Sequence, residues 1–136
     1  MGQGRLSKSV CLAEGKVIMK TVKTSELTGA ALDWAVAKCE ESLGLDNAER
    51  FLRDHRIGFT TRYSETWSQG GPIIEREGIN LDNYAKNPKW SAWTPAPDRE
   101  SGETQAYGPT PLIAAMRCYV ASKLGDDIDI PEELTP

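Results

Sequence analysis

Apolar residues recur at helical spacing in two long segments of the chain and alternate over shorter ones. In TGAALDWAVAKCEESLG, residues 28 to 44, Leu32, Ala35, Val36, Cys39 and Leu43 follow the i, i+3, i+4, i+7 recurrence of one helical face, and Gly44 closes it. Trp34 falls away from that stripe, beside Ala30, Ala37 and Glu41 on the wheel. It covers something else, either a second packing layer of the same domain or a subunit or partner contact. Residues 110 to 124, TPLIAAMRCYVASKL, carry the strongest pattern: Thr110 caps a helix, Pro111 takes its first position and Gly125 stops it. One face bears Leu112, Ile113, Met116, Tyr119, Val120 and Leu124, while the opposite arc of Ala114, Cys118, Ala121 and Ser122 is small and uncharged. A helix without a charged outer face is covered on both sides, inside the domain or against a second subunit. Trp34, Ala114, Cys118 and Ala121 are therefore the expected interface residues if the chain self-associates.

Shorter elements lie between these helices. Asp46-Asn47-Ala48-Glu49 is a capping box for a helix reaching about Arg56, and Gly58 follows it. Ile57 to Tyr63, IGFTTRY, alternates as a strand or extended run, and Ser64 offers a helix cap. In WSQGGPIIERE, residues 67 to 77, the Gly70-Gly71 pair predicts a tight corner and Pro72 the opening of a helix. Asn80 to Pro97 is rich in Asn, Pro and Trp and predicts a loop leading to a short strand at Trp90 to Trp93. Pro95-Ala96-Pro97 and Ser101-Gly102 then turn the chain into a second strand at Glu103 to Tyr107. Asp126 to Glu133, DDIDIPEE, alternates acids with Ile128 and Ile130 as an edge strand ended by Pro131.

Residues 1 to 18 show no capping signal and no sustained period, and the patterned sequence starts at Met19. The codons of Glu14-Gly15 carry the purine core of a ribosome-binding site just upstream of Met19. Residues 1–18 are thus expected to be a translated leader and 19–136 one domain, the alternative being an ordinary strand from Gly15 to Val22.

Composition narrows the class. A chain of 136 residues builds one core of ordinary size. Its formal net charge of −4 leaves no basic field for phosphate backbones, so autonomous nucleic-acid binding is not expected, although a local arginine pocket for one small anion is compatible with it. No apolar run approaches the roughly 20 residues that span a bilayer, and the expected location is the cytoplasm with no membrane partner. Cys11, Cys39 and Cys118 are scattered, with no CxxC and only His55 as a nitrogen ligand, which predicts reduced thiols and no metal or other cofactor.

One histidine is poor material for nucleophilic catalysis, which needs a nucleophile, a base and an orienting group. Glu75 with Glu77 and Asp126 with Asp127 are too close in sequence to form a facing dyad. Phosphate-cradling glycine motifs are missing too. What the chain does hold is a recognition set: Tyr63, Trp67, Trp90, Trp93 and Tyr107 in or beside loops, with Gln69, Arg76 and Arg117 near the firmest elements. Aromatic faces stack on rings and arginine forks bind phosphate or carboxylate, so the set suits a nucleotide-like or peptide ligand. Arg117 is the sharpest member, because it sits at the edge of an apolar stripe where an unpaired guanidinium is costly; the competing reading pairs it with a carboxylate such as Glu75.

Met19 to Glu40, WSQGGPIIEREGI and GPTPLIAAMRCYVASKLGDDIDIPEEL together resemble the NinX-like family of lambdoid phages and prophages, a family to which no activity is assigned. The closing block is also similar to small phage proteins with an α/β sandwich domain. Relative to that pattern the leader and residues 43 to 60, which contain His55, look added. Pattern and resemblance together predict an α+β fold, a compact α/β sandwich whose small, mainly antiparallel sheet runs from Trp90 to Tyr107 plus the chain ends and is packed by three to four helices. The expected function is a non-catalytic phage accessory protein that binds or sequesters a small nucleotide-type ligand such as a host-defence signal, as a homo-oligomer. A protein-binding modulator comes second and a nucleotide-processing enzyme third.

Overall fold

Thr21 to Lys23 leads from a strand straight into the first helical region, and that strand is the centre of the sheet built from the chain ends. The computed structural model describes residues 7–12, 15–59, 61–84, 89–100 and 102–135, with backbone alone for 7–12, 15, 16 and 84. Strand β1 (Ser7–Leu12) pairs antiparallel with β2 (Gly15–Lys23), placing Leu12 opposite Gly15 and Ser7 opposite Lys20. The other side of β2 pairs antiparallel with β6 (Asp127–Pro131), from Met19 opposite Pro131 to Lys23 opposite Asp127. This sheet, in the order β1-β2-β6, sends Val17, Met19, Ile128 and Ile130 into the core. The alternative of a strand over Gly15 to Val22 matches β2, which runs through Met19 without a break. Residues 1–6 and 13–14 of the expected leader, and the Cys11 thiol, lie outside the described residues.

Four helices follow among the described residues, with a 3-10 turn at Thr24–Glu26 before them: α1 (Gly29–Glu41), α2 (Ala48–Arg56), α3 (Trp67–Glu77) and α4 (Pro111–Leu124). Local signals explain three of them. The Asn47 side chain accepts the Arg50 amide at 2.9 Å to cap α2, and Thr110 accepts the Ile113 amide at 3.1 Å with Pro111 at the first position of α4. Gly44 takes φ +74° just past α1, where a residue with a Cβ would be strained.

The fourth helix departs from expectation. WSQGGPIIERE is not a corner followed by a helix; it is α3 from end to end, with Pro72 inside it and Thr66, not Ser64, at the cap. Two glycines make this workable for different reasons. A Cβ on Gly70 would lie 2.4 Å from the Tyr63 carbonyl oxygen and 2.6 Å from Leu112 Cδ2, so this glycine lets α3 press against α4. Gly71 precedes the proline, whose ring disfavours helical conformation by crowding the preceding residue's Cβ, and glycine has none. Residues 57 to 63 also differ from expectation: they form turns, with residue 60 outside the described residues, and Ile57 and Phe59 are exposed. Among the described residues no strand pairs with that run, so its alternation does not become a strand.

The second sheet is β3 (Asn80–Tyr84), β4 (Lys89–Pro95) and β5 (Glu103–Gly108), antiparallel in the order β3-β4-β5. The hairpin around 96–102 is as expected, with Ser101 outside the described residues, whereas β3 replaces the start of the expected loop. Its Leu81 packs against the core opposite Ala92 while flanking Asn and Asp residues point away, an edge-strand pattern that strand propensity undervalues. The chain ends do not join this sheet; they form the first one. Helix α4 packs between sheet and helices, with β4 and β5 on one side and α1 and α3 on the other. The result is an α+β fold with two small antiparallel sheets and α4 at its centre.

Candidate functional site

Gly108 ends β5 against the first turn of α4, where a Cβ would come within 2.7 Å of the Ala114 amide nitrogen. That close approach brings the last residues of β5 beside Arg117, two turns into the helix. Arg117 donates from Nη1 to the Tyr107 carbonyl at 2.7 Å and from Nε to the Leu27 carbonyl at 2.7 Å. It thereby ties the edge of one sheet to the segment that follows the other. No carboxylate pairs with it among the described residues, and burial lowers its pKa from the ordinary guanidinium value. Two carbonyl dipoles satisfy only part of a planar group with five N–H donors, so the remaining donors retain capacity for an anion.

The edge of β5 adds a second donor. Ala96 donates to Gly102 at 2.9 Å, which makes that pair a hydrogen-bonded one; in an antiparallel ladder bonded and non-bonded pairs alternate. Residues 104, 106 and 108 therefore turn their backbone groups toward β4, and 103, 105 and 107 turn theirs outward. The Arg117 bond to the Tyr107 carbonyl agrees with that phase. The outward amide of Gln105 finds no partner among the described residues, while its side chain lies 3.5 Å from Ser91 Oγ.

A two-lobed cleft opens along this edge. One lobe, with a volume of ≈ 330 Å³, is bounded by Lys23, Thr24, Asp126 and Asp127; the other, ≈ 500 Å³, by Lys89, Tyr107, Gly108 and Pro109. Both are lined by Ser25, Gln105, Ala106 and Arg117, which form the waist. Thr24 anchors the floor by donating to the Gly125 carbonyl at 2.7 Å, and Arg99 reaches Asp126 at 3.3 Å.

Of the sequence-derived recognition set, Tyr107 and Arg117 line this cleft. Trp93 lies on the same outward sheet face as Tyr107 by register, whereas Trp90, opposite Gly108, is on the face packed against the core. The other four stand elsewhere. Tyr63 is buried and donates to Asp46, Gln69 accepts the Arg62 amide at 2.7 Å, and Trp67 is exposed on α3. Arg76 is engaged by this chain's own carboxylates: it forms a two-point pair with buried Glu40 at 3.2 and 2.7 Å and a further contact with Glu77 at 2.9 Å. The pairing of Arg117 with Glu75 is also corrected, since the guanidinium meets carbonyls and Glu75 is exposed. Lys23, Ser25 and Gln105 were not singled out from sequence, because an edge amide and a turn hydroxyl carry no local signature.

The expected interface residues are interior. Trp34 is only 6% exposed, and Ala114, Cys118 and Ala121 are buried within this chain, Ala121 also bordering the lobe of Asp126 and Asp127, so α4 is sandwiched within the fold. Burial pushes the thiols of Cys39 and Cys118 up to about 12, which keeps them protonated and unreactive. A smaller cavity of ≈ 230 Å³ lies over Asp33, His55 and Arg62, with His55 stacked on Phe51 at 6.4 Å.

Fold and cleft together define a small α+β protein with an arginine-lined cleft at a sheet edge. The chain belongs to the phage family described as Bacteriophage P22, NinX, whose sequence profile matches residues 23–123. That span runs from the end of β2 through most of α4 and contains every residue of the cleft's waist. No curated protein matches the chain in sequence. Among the described residues no helix is long and apolar enough to cross a membrane. Membership places the chain among phage accessory proteins without an assigned activity.

Proposed function

We propose that this chain is a non-catalytic binding module that takes a small nucleotide-type anion in the cleft around Arg117. The observation that carries the reading is Arg117 itself: a partly buried guanidinium with no carboxylate partner among the described residues, opening on a cleft that Lys23 and Lys89 also line. Tyr107 supplies an exposed aromatic face in the same cleft, the usual partner for a nucleobase. Within an infected cell such a module would sequester its ligand, a host-defence signal being the setting that phage membership favours.

Isothermal titration of the full chain with adenosine monophosphate tests this. Saturable binding is expected, and Arg117→Gln should weaken it ~10-fold or more, the usual cost of a lost charge-assisted bond. Because Arg117 also ties two backbone segments, Lys23→Gln serves as the second variant and should weaken binding without changing the melting temperature. Absence of binding by mono- and dinucleotides alike would overturn the reading. The protein-binding alternative was motivated by Trp34 and the small-residue face of α4, both of which are interior.

A further inference from the structure

We infer that the ligand of this cleft is a phosphodiester joining two nucleosides, with the phosphate at the waist and one nucleoside in each lobe. The inference rests on the anion-binding reading above and names the ligand class of that same site. Its first support is the order of chemistry along the cleft. The waist offers the Arg117 guanidinium, the outward Gln105 amide and the Ser25 hydroxyl, all donors suited to phosphate oxygens. On one side lies Tyr107 with the Pro109 ring, a flat apolar surface for a base, and Lys89 at the rim. Beyond the waist on the other side come Asp126 and Asp127, with Lys23 and Thr24.

Those two carboxylates decide between ligand classes. A nucleoside triphosphate whose first phosphate sat at the waist would push further negative charge into a lobe where Asp126 and Asp127 outnumber the single ammonium of Lys23, and like charges at short range repel. A diester instead carries one charge and continues into a neutral sugar, whose hydroxyls donate to carboxylates. Asp127 stands opposite Lys23 in the ladder, and the exposed Asp126 lies 3.3 Å from Arg99, so both acids border the lobe. Size agrees: the two lobes, ≈ 330 and ≈ 500 Å³, are each within the range of pockets for whole small molecules, about 300–1,000 Å³. A mononucleotide would leave one lobe to water.

The test is a calorimetric titration of the full chain with three probes: adenosine monophosphate, adenosine triphosphate and the dinucleoside monophosphate adenylyl-adenosine. The dinucleoside monophosphate is expected to bind ~10-fold or more tighter than the monophosphate, with the triphosphate weakest. Asp127→Asn should narrow the gap between dinucleoside and triphosphate without loss of fold, which a purely structural role for Asp127 would not do. If the mono- or triphosphate binds as tightly as the dinucleoside, the diester inference falls and the anion cleft stands. If none of the three binds, both fall.

Discussion

Glu40 is buried on α1, yet donors surround it: two N–H groups of Arg76 and the hydroxyl of Tyr119. These bonds hold α3 and α4 against α1. Asp33, about two helical turns earlier, meets less help. It is 3% exposed and accepts the Ser64 amide at 2.8 Å, but burial raises its pKa from 3.8 to about 6, outweighing that bond. Between those values the folded chain keeps a proton that the unfolded chain has released. Stability from this group is therefore full below about pH 4 and lost as pH rises through about 6, by on the order of 3 kcal/mol. Urea unfolding from about pH 4 to about pH 7.5 should show that fall, and Asp33→Asn should remove it, leaving the slopes of the other carboxylates. An unchanged difference between wild type and variant across that range would refute the assignment. Arg117 is the third interior charge, and the one whose donors are not used up.

At the scale of elements, α3 shows how tertiary contact overrides local preference. Alanine is a better helix former than glycine by about 1 kcal/mol, so propensity alone recommends Gly70→Ala. The added methyl would meet Tyr63 and Leu112 at 2.4 and 2.6 Å, however, and a backbone oxygen cannot move aside as a flexible side chain can. Net destabilisation of about 1–3 kcal/mol is expected from thermal or urea unfolding, and a variant as stable as wild type would show that α3 and α4 are not in that contact. The same comparison explains what was legible. α1, α2 and α4 could be read because caps and apolar period are written in neighbouring residues. α3 could not, since glycine and proline signal corners unless one knows that α4 lies against Gly70. β3 and the 57–63 run mirror each other: the first found a partner strand despite its Asn and Asp residues, and the second did not despite its alternation.

Over the whole molecule, the two sheets never merge, and Arg117 with α4 joins them. Strand β2 divides at Met19: residues 19–23 pair with β6, and residues 15–20 pair with β1. We propose that a chain beginning at Met19 keeps the fold, because every β2–β6 pair survives and the family match begins only at residue 23. It should melt cooperatively with the same far-UV dichroism, less stable by about 1.5–3 kcal/mol for the lost burial of Val17. Loss of a cooperative melt would mean that residues 1–18 are structural and not a dispensable leader. The sequence by itself determined the α+β class, three of the helices, the Trp-bearing hairpin and the suspicion attached to Arg117, since caps, periods and charges on apolar stripes are local facts. Only the tertiary structure decided that Arg76 meets carboxylates while Arg117, among the described residues, meets backbone carbonyls, that Trp34 and the small face of α4 are interior, and that Gln105 turns an amide outward at the cleft. Those outcomes depend on which elements meet across long separations, and no single segment encodes its own neighbour.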